Sequence, residues 1–227
     1  MNSEGLLQRS RGPSVATRES LYVRVWMLLL VDAAARNGLT PISKLRLHRL
    51  AYLANCLSPV YGIRPNDERI VKYKRGPYYP VFQWHLDRLV GQQLLQLSKV
   101  RYFNDEYGAW MDASYAVAKR GVLLAHSIFA TAEMKGLSEY LLEVAKAFAF
   151  RKDESLDGMA LADLTYSDQR RAGGSVIDFS DPATNLSVLG AHSFVSLVRD
   201  PRLITEEDQI YLYMEYLGKT IATASTR

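Results

Sequence analysis

Between Leu21 and Val117 the apolar residues change period once: three stretches at helical spacing are followed by two strand-like runs. That order admits few folds. Leu21 to Asn37 reads as a helix, with Leu21, Val25, Leu28, Leu29 and Asp32 at helical spacing and Gly38 as its stop. Thr40-Pro41 is expected to open a second helix, Thr as N-cap and Pro at the first helical position. Leu47, Leu50, Ala54 and Leu57 mark its buried side, and Ser58-Pro59 end it. Tyr61 to Tyr79, with Gly62, Pro65, Gly76 and Pro77, reads as irregular. Pro80 starts a third helix whose buried stripe is Phe82, Leu86, Leu89 and Val90. The strand-like runs are Leu94 to Phe103 and Trp110 to Val117, joined by the turn-rich Asn104 to Gly108. Ala118 to Phe129 returns to helix.

Three helices and then a hairpin is the order of a winged helix-turn-helix. Two local segments resemble winged-helix proteins as well. The third helix ends in Leu89-Val90-Gly91-Gln92-Gln93-Leu94-Leu95, and the second wing strand runs into Tyr115-Ala116-Val117-Ala118-Lys119-Arg120-Gly121. The latter matches a Tyr-x-Leu-Thr-x-x-Gly pattern, with Val117 and Ala118 in place of Leu-Thr. The expected fold is therefore mainly α with a small β-hairpin wing. A winged helix-turn-helix domain over 21–130 follows a flexible N-terminal tail, 1–20, and precedes a helical C-terminal domain, 131–227. In that last part Ala132–Phe150, Leu156–Tyr166, Asn185–Val198 and Glu206–Ala224 read as helices, and Arg170 to Pro182 as an exposed loop around Gly173-Gly174. Thr205 caps the final helix, with Glu206, Glu207 and Asp208 well placed against its dipole.

Charge divides the chain at the same place. Residues 1–130 carry 18 Lys and Arg against 9 Asp and Glu, and 131–227 carry 10 against 15. The first part thus favours polyanions or acidic protein surfaces, although an unevenly charged solvated surface gives the same count. Cys56 is the only cysteine, so an internal disulfide and a Cys-based zinc site are excluded. The most apolar stretch, Val25 to Ala35, is interrupted by Asp32 and is shorter than the roughly 20 residues a span needs. A cytoplasmic protein with no membrane contact is expected.

The signatures of catalysis do not emerge. The chain has no G-x-x-x-x-G-K-[ST] loop and no G-x-S-x-G elbow. His48, His85, His126 and His192 are scattered, without the short spacing of metal ligands. Cys56, on an apolar helix, reads as a structural thiol. Asp153, Glu154 and Asp157 look like exposed helix starts. No catalytic residue, metal or cofactor is expected.

The most distinctive segment is Ile70-Val71-Lys72-Tyr73-Lys74-Arg75-Gly76-Pro77-Tyr78-Tyr79-Pro80. With Lys44, Arg46, Arg49 and Arg69 upstream, its Lys72, Lys74 and Arg75 form a candidate surface for nucleic acid or an acidic partner, with tyrosines as stacking rings. Charge reversal of Lys72, Lys74 and Arg75 is expected to leave the fold intact. On the alternative reading Tyr78 and Tyr79 anchor a turn in the core and the cations are merely solvated. On the third helix, Trp84, Asp87, Arg88 and Gly91 fall opposite the buried stripe. Asp87, and the acidic Asn104-Asp105-Glu106 at the wing tip, would repel phosphates. Trp84, Asp87 and Arg88, with Tyr78 and Tyr79, read instead as a protein interface.

Lys44-Leu45-Arg46-Leu47-His48-Arg49-Leu50-Ala51-Tyr52-Leu53-Ala54, then Tyr73-Lys74-Arg75-Gly76-Pro77-Tyr78, then Leu86-Asp87-Arg88-Leu89 carry a family resemblance. They resemble the middle component of ABC-type three-component bacterial defence systems, including the Lamassu type, and the layout is similar to Panacea-type antitoxin domains. The resemblance covers about Leu21 to Phe129. It implies an accessory subunit joining an SMC- or Rad50-like ATPase to an effector, often a nuclease, in antiphage or antiplasmid defence. Chemistry and energy then belong to the partners, and direct contact with DNA is an open addition. A winged-helix DNA-binding regulator or antitoxin is the alternative.

Overall fold

The structure, a computed structural model, describes residues 15–66, 69–106, 108–150, 157–179, 181–197 and 201–224. It is mostly helical, with two small antiparallel sheets. Helix α1 spans Val15–Arg36, so residues 15–20, expected as tail, are its first turns. Residues 1–14 of that expected tail lie outside the described residues. Trp26 to Val31 are buried on every side of α1. A helix apolar all round has to be enclosed, and α3, α4, α5 and β5, defined below, pack around it.

The second helix starts later than Thr40-Pro41 suggests. Ile42–Ser43 forms a short strand, β1, which takes Ile42 into the core. Ser43 then caps α2 (Lys44–Cys56), its hydroxyl accepting the Arg46 N–H at 3.2 Å. Leu47 to Cys56 are all buried, which makes α2 the central element. Two further strands lie in the stretch expected to be irregular: β2 (Ile70–Tyr73) and β3 (Gly76–Tyr78). Gly76 has φ +128, a value that a side chain would strain. Helix α3 (Pro80–Gly91) buries Phe82, His85, Leu86 and Leu89. The long hairpin β4 (Leu95–Asp105) and β5 (Gly108–Val117) follows, with a register irregularity between Ser98 and Arg101, where Lys99 has φ +51. β1 pairs with β5, so the first sheet runs β1-β5-β4.

Helices α4 (Lys119–Phe129) and α5 (Ala132–Phe150) come next, and the boundary expected at residue 130 falls in the turn between them. The helix expected over Leu156–Tyr166 is two short ones, α6 (Met159–Ala162) and α7 (Leu164–Ser167), broken at Asp163; Leu156, Asp153 and Glu154 lie outside the described residues. The loop expected at Arg170–Pro182 contains strand β6 (Val176–Ile177), which pairs with β2 to give the second sheet, β3-β2-β6. Helix α8 (Leu186–Ser196) is capped by Asn185, and Val198 lies outside the described residues. In α9 (Glu206–Ala224) Thr205 Oγ accepts the Asp208 N–H while Asp208 accepts the Thr205 N–H, a reciprocal capping box.

One core runs across residue 130. Tyr140 on α5 donates to the Ala54 carbonyl, and Asn185 donates to the Cys56 carbonyl at 2.7 Å. At its centre the buried Asp163 carboxylate accepts from Tyr52 Oη on α2 at 2.5 Å and Tyr213 Oη on α9 at 2.7 Å. Asp163 also accepts the Thr165 and Tyr166 N–H groups, both at 3.0 Å. Four donors answer one buried charge, the condition for keeping a carboxylate away from water.

Candidate functional site

The two hairpins clasp each other. Arg75, in the β2–β3 turn, pairs its guanidinium with Asp105 at the tip of β4, donates to Tyr73 Oη at 2.9 Å, and lies 5.0 Å from the Trp110 ring centre on β5. Trp110 Nε1 donates to the same Asp105 carboxylate at 2.9 Å, and its ring stacks on Phe103 at 4.7 Å. The acidic residue at the hairpin tip is therefore half of an ion pair with its neighbour hairpin. Beneath this bridge opens a cleft of about 380 Å³, lined by Lys44, His48, Tyr73, Tyr78, Trp110 and Met111 among others.

The floor is held by a polar chain. His48 Nδ1 accepts the Tyr79 N–H at 3.3 Å, and Nε2 meets Gln83 Oε1 at 3.3 Å. That places the ring proton on Nε2. Gln83 passes its amide hydrogens to Asp87 at 2.8 Å and Tyr115 Oη at 2.9 Å. Burial pushes the His48 pKa down to about 4, with the Lys44 charge acting in the same direction and the Gln83 contact opposing, so the ring is neutral at pH 7. Tyr78 lies against it, ring centres 5.0 Å apart.

Among the seven cations singled out by sequence, Arg46, Arg49, Lys72 and Arg75 make contacts within the fold. Arg46 makes a two-pronged pair with Asp157 at 2.9 and 3.0 Å, which depresses the Asp157 carboxyl. Arg49 is buried beside it, 3.4 Å from Asp157, and donates to the Arg75 carbonyl at 2.9 Å. Lys72 donates to the Asp168 and Arg171 carbonyls at 3.0 and 2.9 Å and sits 5.5 Å from the Tyr166 ring centre. Arg75 is the clasp. Reversing Lys72 and Arg75 would remove these contacts, which the expectation from sequence does not include, because Asp168, Arg171 and Asp105 are distant in the chain. Lys44 lines the cleft, and Arg69 and Lys74 are exposed.

The expected interface residues separate likewise. Tyr79 is in the core, stacked on Phe82 at 4.3 Å and fully buried, so it presents nothing to a partner. Its neighbour Tyr78 is partly exposed. Trp84 is 50% exposed, with the Arg88 guanidinium 3.8 Å from its ring centre, and Asp87 is exposed beside them. Sequence reasoning missed His48, Trp110 and Met111. For His48 a signal existed, since it lies four residues after Lys44, on the same side of a helix.

The hairpin also presents apolar side chains. Leu97, Val100, Tyr102 (82% exposed) and Phe103 on β4, Met111 on β5, and Val122, Leu123 (63%) and Leu124 on α4 are all exposed. Among the described residues no three His, Cys, Asp or Glu converge as metal ligands, and no helix is long and apolar enough to cross a membrane. Burial raises the Cys56 thiol well above its ordinary pKa, which makes it a poor nucleophile. No family model matches the chain, and no curated protein matches it.

Proposed function

We propose that this chain is a non-catalytic binding subunit of a protein assembly and that the β4–β5 arm, with the exposed face of α3, is its partner surface. The observation that carries this reading is the arm itself. Every residue of β4 after Leu95 is exposed, and several are large and apolar. Such surface, left open to water, is the mark of a protein contact. Trp84 under Arg88 on α3 adds the residue types that dominate interface energetics.

The order α1, β1, α2, α3, β4, β5 with the sheet sequence β1-β5-β4 supports a winged helix-turn-helix, with the β2–β3 hairpin inserted between α2 and α3. On the resemblance described above, the partners are an SMC- or Rad50-like ATPase and a nuclease-type effector in a bacterial antiphage or antiplasmid complex. A tagged pull-down from the native host, with mass spectrometry, tests this. Near-stoichiometric recovery of a long coiled-coil ATPase is expected. Recovery of the chain alone, or with duplex fragments only, would sink the assembly reading. It would favour a DNA-binding transcriptional regulator or antitoxin, for which the exposed Lys99 and Arg101 on β4 and Lys119 and Arg120 at the start of α4 speak.

A further inference from the structure

We propose that the cleft between the two hairpins binds a single nucleotide unit, its base against the Tyr78 and Trp110 rings and its phosphate on Lys44. The cleft's volume, about 380 Å³, falls within the ~300–1,000 Å³ of small-ligand sites. Its walls are flat and polarisable: the Tyr73, Tyr78 and Trp110 rings and the Met111 thioether. Every nucleobase has a π-face that such rings accept regardless of sequence.

Charge sets the second half of the ligand. Among the described residues no carboxylate lines the cleft. Arg75 lines it but is neutralised by Asp105, whereas Lys44 makes no ion pair or hydrogen bond among the described residues. Among the described residues the cleft therefore carries one uncompensated positive charge, which meets the single negative charge of a phosphodiester in full and the charge of about −1.5 to −2 on a monoester in part. Lys44 is also the first residue of α2, whose first turn holds no acidic residue, so the helix dipole acts in the same sense.

The rings are organised before any ligand arrives. Tyr78 rests on His48, whose two nitrogens are both engaged, and Trp110 is fixed by Asp105, Phe103 and Arg75. Little side-chain freedom is left to lose on binding. A paired base inside a duplex does not present a free face here, so the unit comes from a free mononucleotide or from a single strand. The site is independent of the assembly reading and survives its failure.

Fluorescence anisotropy of a labelled oligo-dT of about ten nucleotides, long enough to fill one site, is the direct measurement, with AMP as competitor. The full chain is expected to bind with a log–log salt slope of about −0.7, that of one phosphate contact on a single strand. Lys44→Glu is expected to weaken binding more than about tenfold and abolish the slope, without lowering the thermal midpoint, since an acid in the first turn suits the helix dipole. Tyr78→Leu is expected to cost about tenfold through lost stacking. Trp84→Ala, outside the cleft, keeps wild-type affinity. Displacement by AMP identifies a free nucleotide, and its failure to compete identifies a strand; either supports the site. Absence of binding by both probes at about 1 mM, too weak for a functional site, overturns it. So does affinity left intact by both Lys44→Glu and Tyr78→Leu.

Discussion

At Asp163 a carboxylate is wholly buried with four donors around it, while on the β4–β5 arm Leu97, Val100, Tyr102 and Phe103 stand exposed. The two regions depart from the usual placement of residues in opposite directions. The first has polar groups inside, and all of them are satisfied within the chain. The second has apolar groups outside, and among the described residues only Phe103, stacked on Trp110, has a ring partner while Leu97, Val100 and Tyr102 still face water. A saturated site holds a fold together, and an unsaturated one calls for something else. The contrast separates the residues that make this molecule stable from those left over for binding.

The interior is the easier side of the comparison to break. Asp163→Ala strands the Tyr52 and Tyr213 hydroxyls and two backbone N–H groups where water does not reach. Removing one partner of a buried charged network costs about 3–5 kcal/mol, and the urea midpoint should fall accordingly. A loss under about 1 kcal/mol, the size of an ordinary exposed contact, would mean that the three helices do not depend on this carboxylate.

Acid probes the boundary between the two regions, where His48 forms the cleft floor yet belongs to the core. Its folded pKa lies at about 4, below the ordinary 6.5, so the unfolded chain binds a proton that the folded chain refuses. The resulting stability is complete above pH 6.5 and is lost as pH falls toward 4. A shift of this size corresponds to about 3 kcal/mol at most. Burial depresses His85 to about 4 as well, with Arg24 and Arg88 acting in the same sense, so His48→Asn should reduce the slope between those pH values without abolishing it. An unchanged slope would show that His48 is solvated in the folded protein. Asp157, held low by Arg46, acts in a separate window, losing its contribution as pH falls below the ordinary carboxylate range.

The sequence announces elements whose period has room to repeat. The three leading helices, the long hairpin and α9 all carry such patterns, and the phase of α3 places Trp84 outward and Phe82 inward as found. Gly121, noticed for its place in a motif, has a steric reason: a Cβ there would sit 2.0 Å from the Leu94 carbonyl oxygen. Strands β1, β2, β3 and β6 have only two to four residues each, too few to show alternation. Tyr78 and Tyr79 are identical neighbours with opposite fates because extended backbone sends successive side chains to opposite sides. The cations are the hardest case. Arg46 meets an acid 111 positions away and Arg75 one 30 away, so a charge that looks idle in the sequence is paired in the fold.

The arm offers the smallest effect on stability and the sharpest test of the contrast. Tyr102 is the most exposed apolar residue of β4 and Leu123 that of α4, the helix that continues from the arm, and neither belongs to the buried core. Replacing both by Ser removes little buried surface and, among the described residues, strands no hydrogen-bonding partner of either side chain. Substitutions of that kind stay within about 0.5 kcal/mol of wild type. If the arm is a partner surface, the same double variant should lose most of what the wild-type chain captures in a pull-down from its host, with an unchanged melting curve. A fall in stability of more than about 1 kcal/mol would mean that the arm packs on its own body in solution, and its apolar residues would then belong with Asp163 among the groups that hold the fold. Unchanged stability with unchanged capture would break the comparison from the other side: apolar exposure on the arm would then mark no contact, and the partner surface would have to be sought around Trp84 and Arg88.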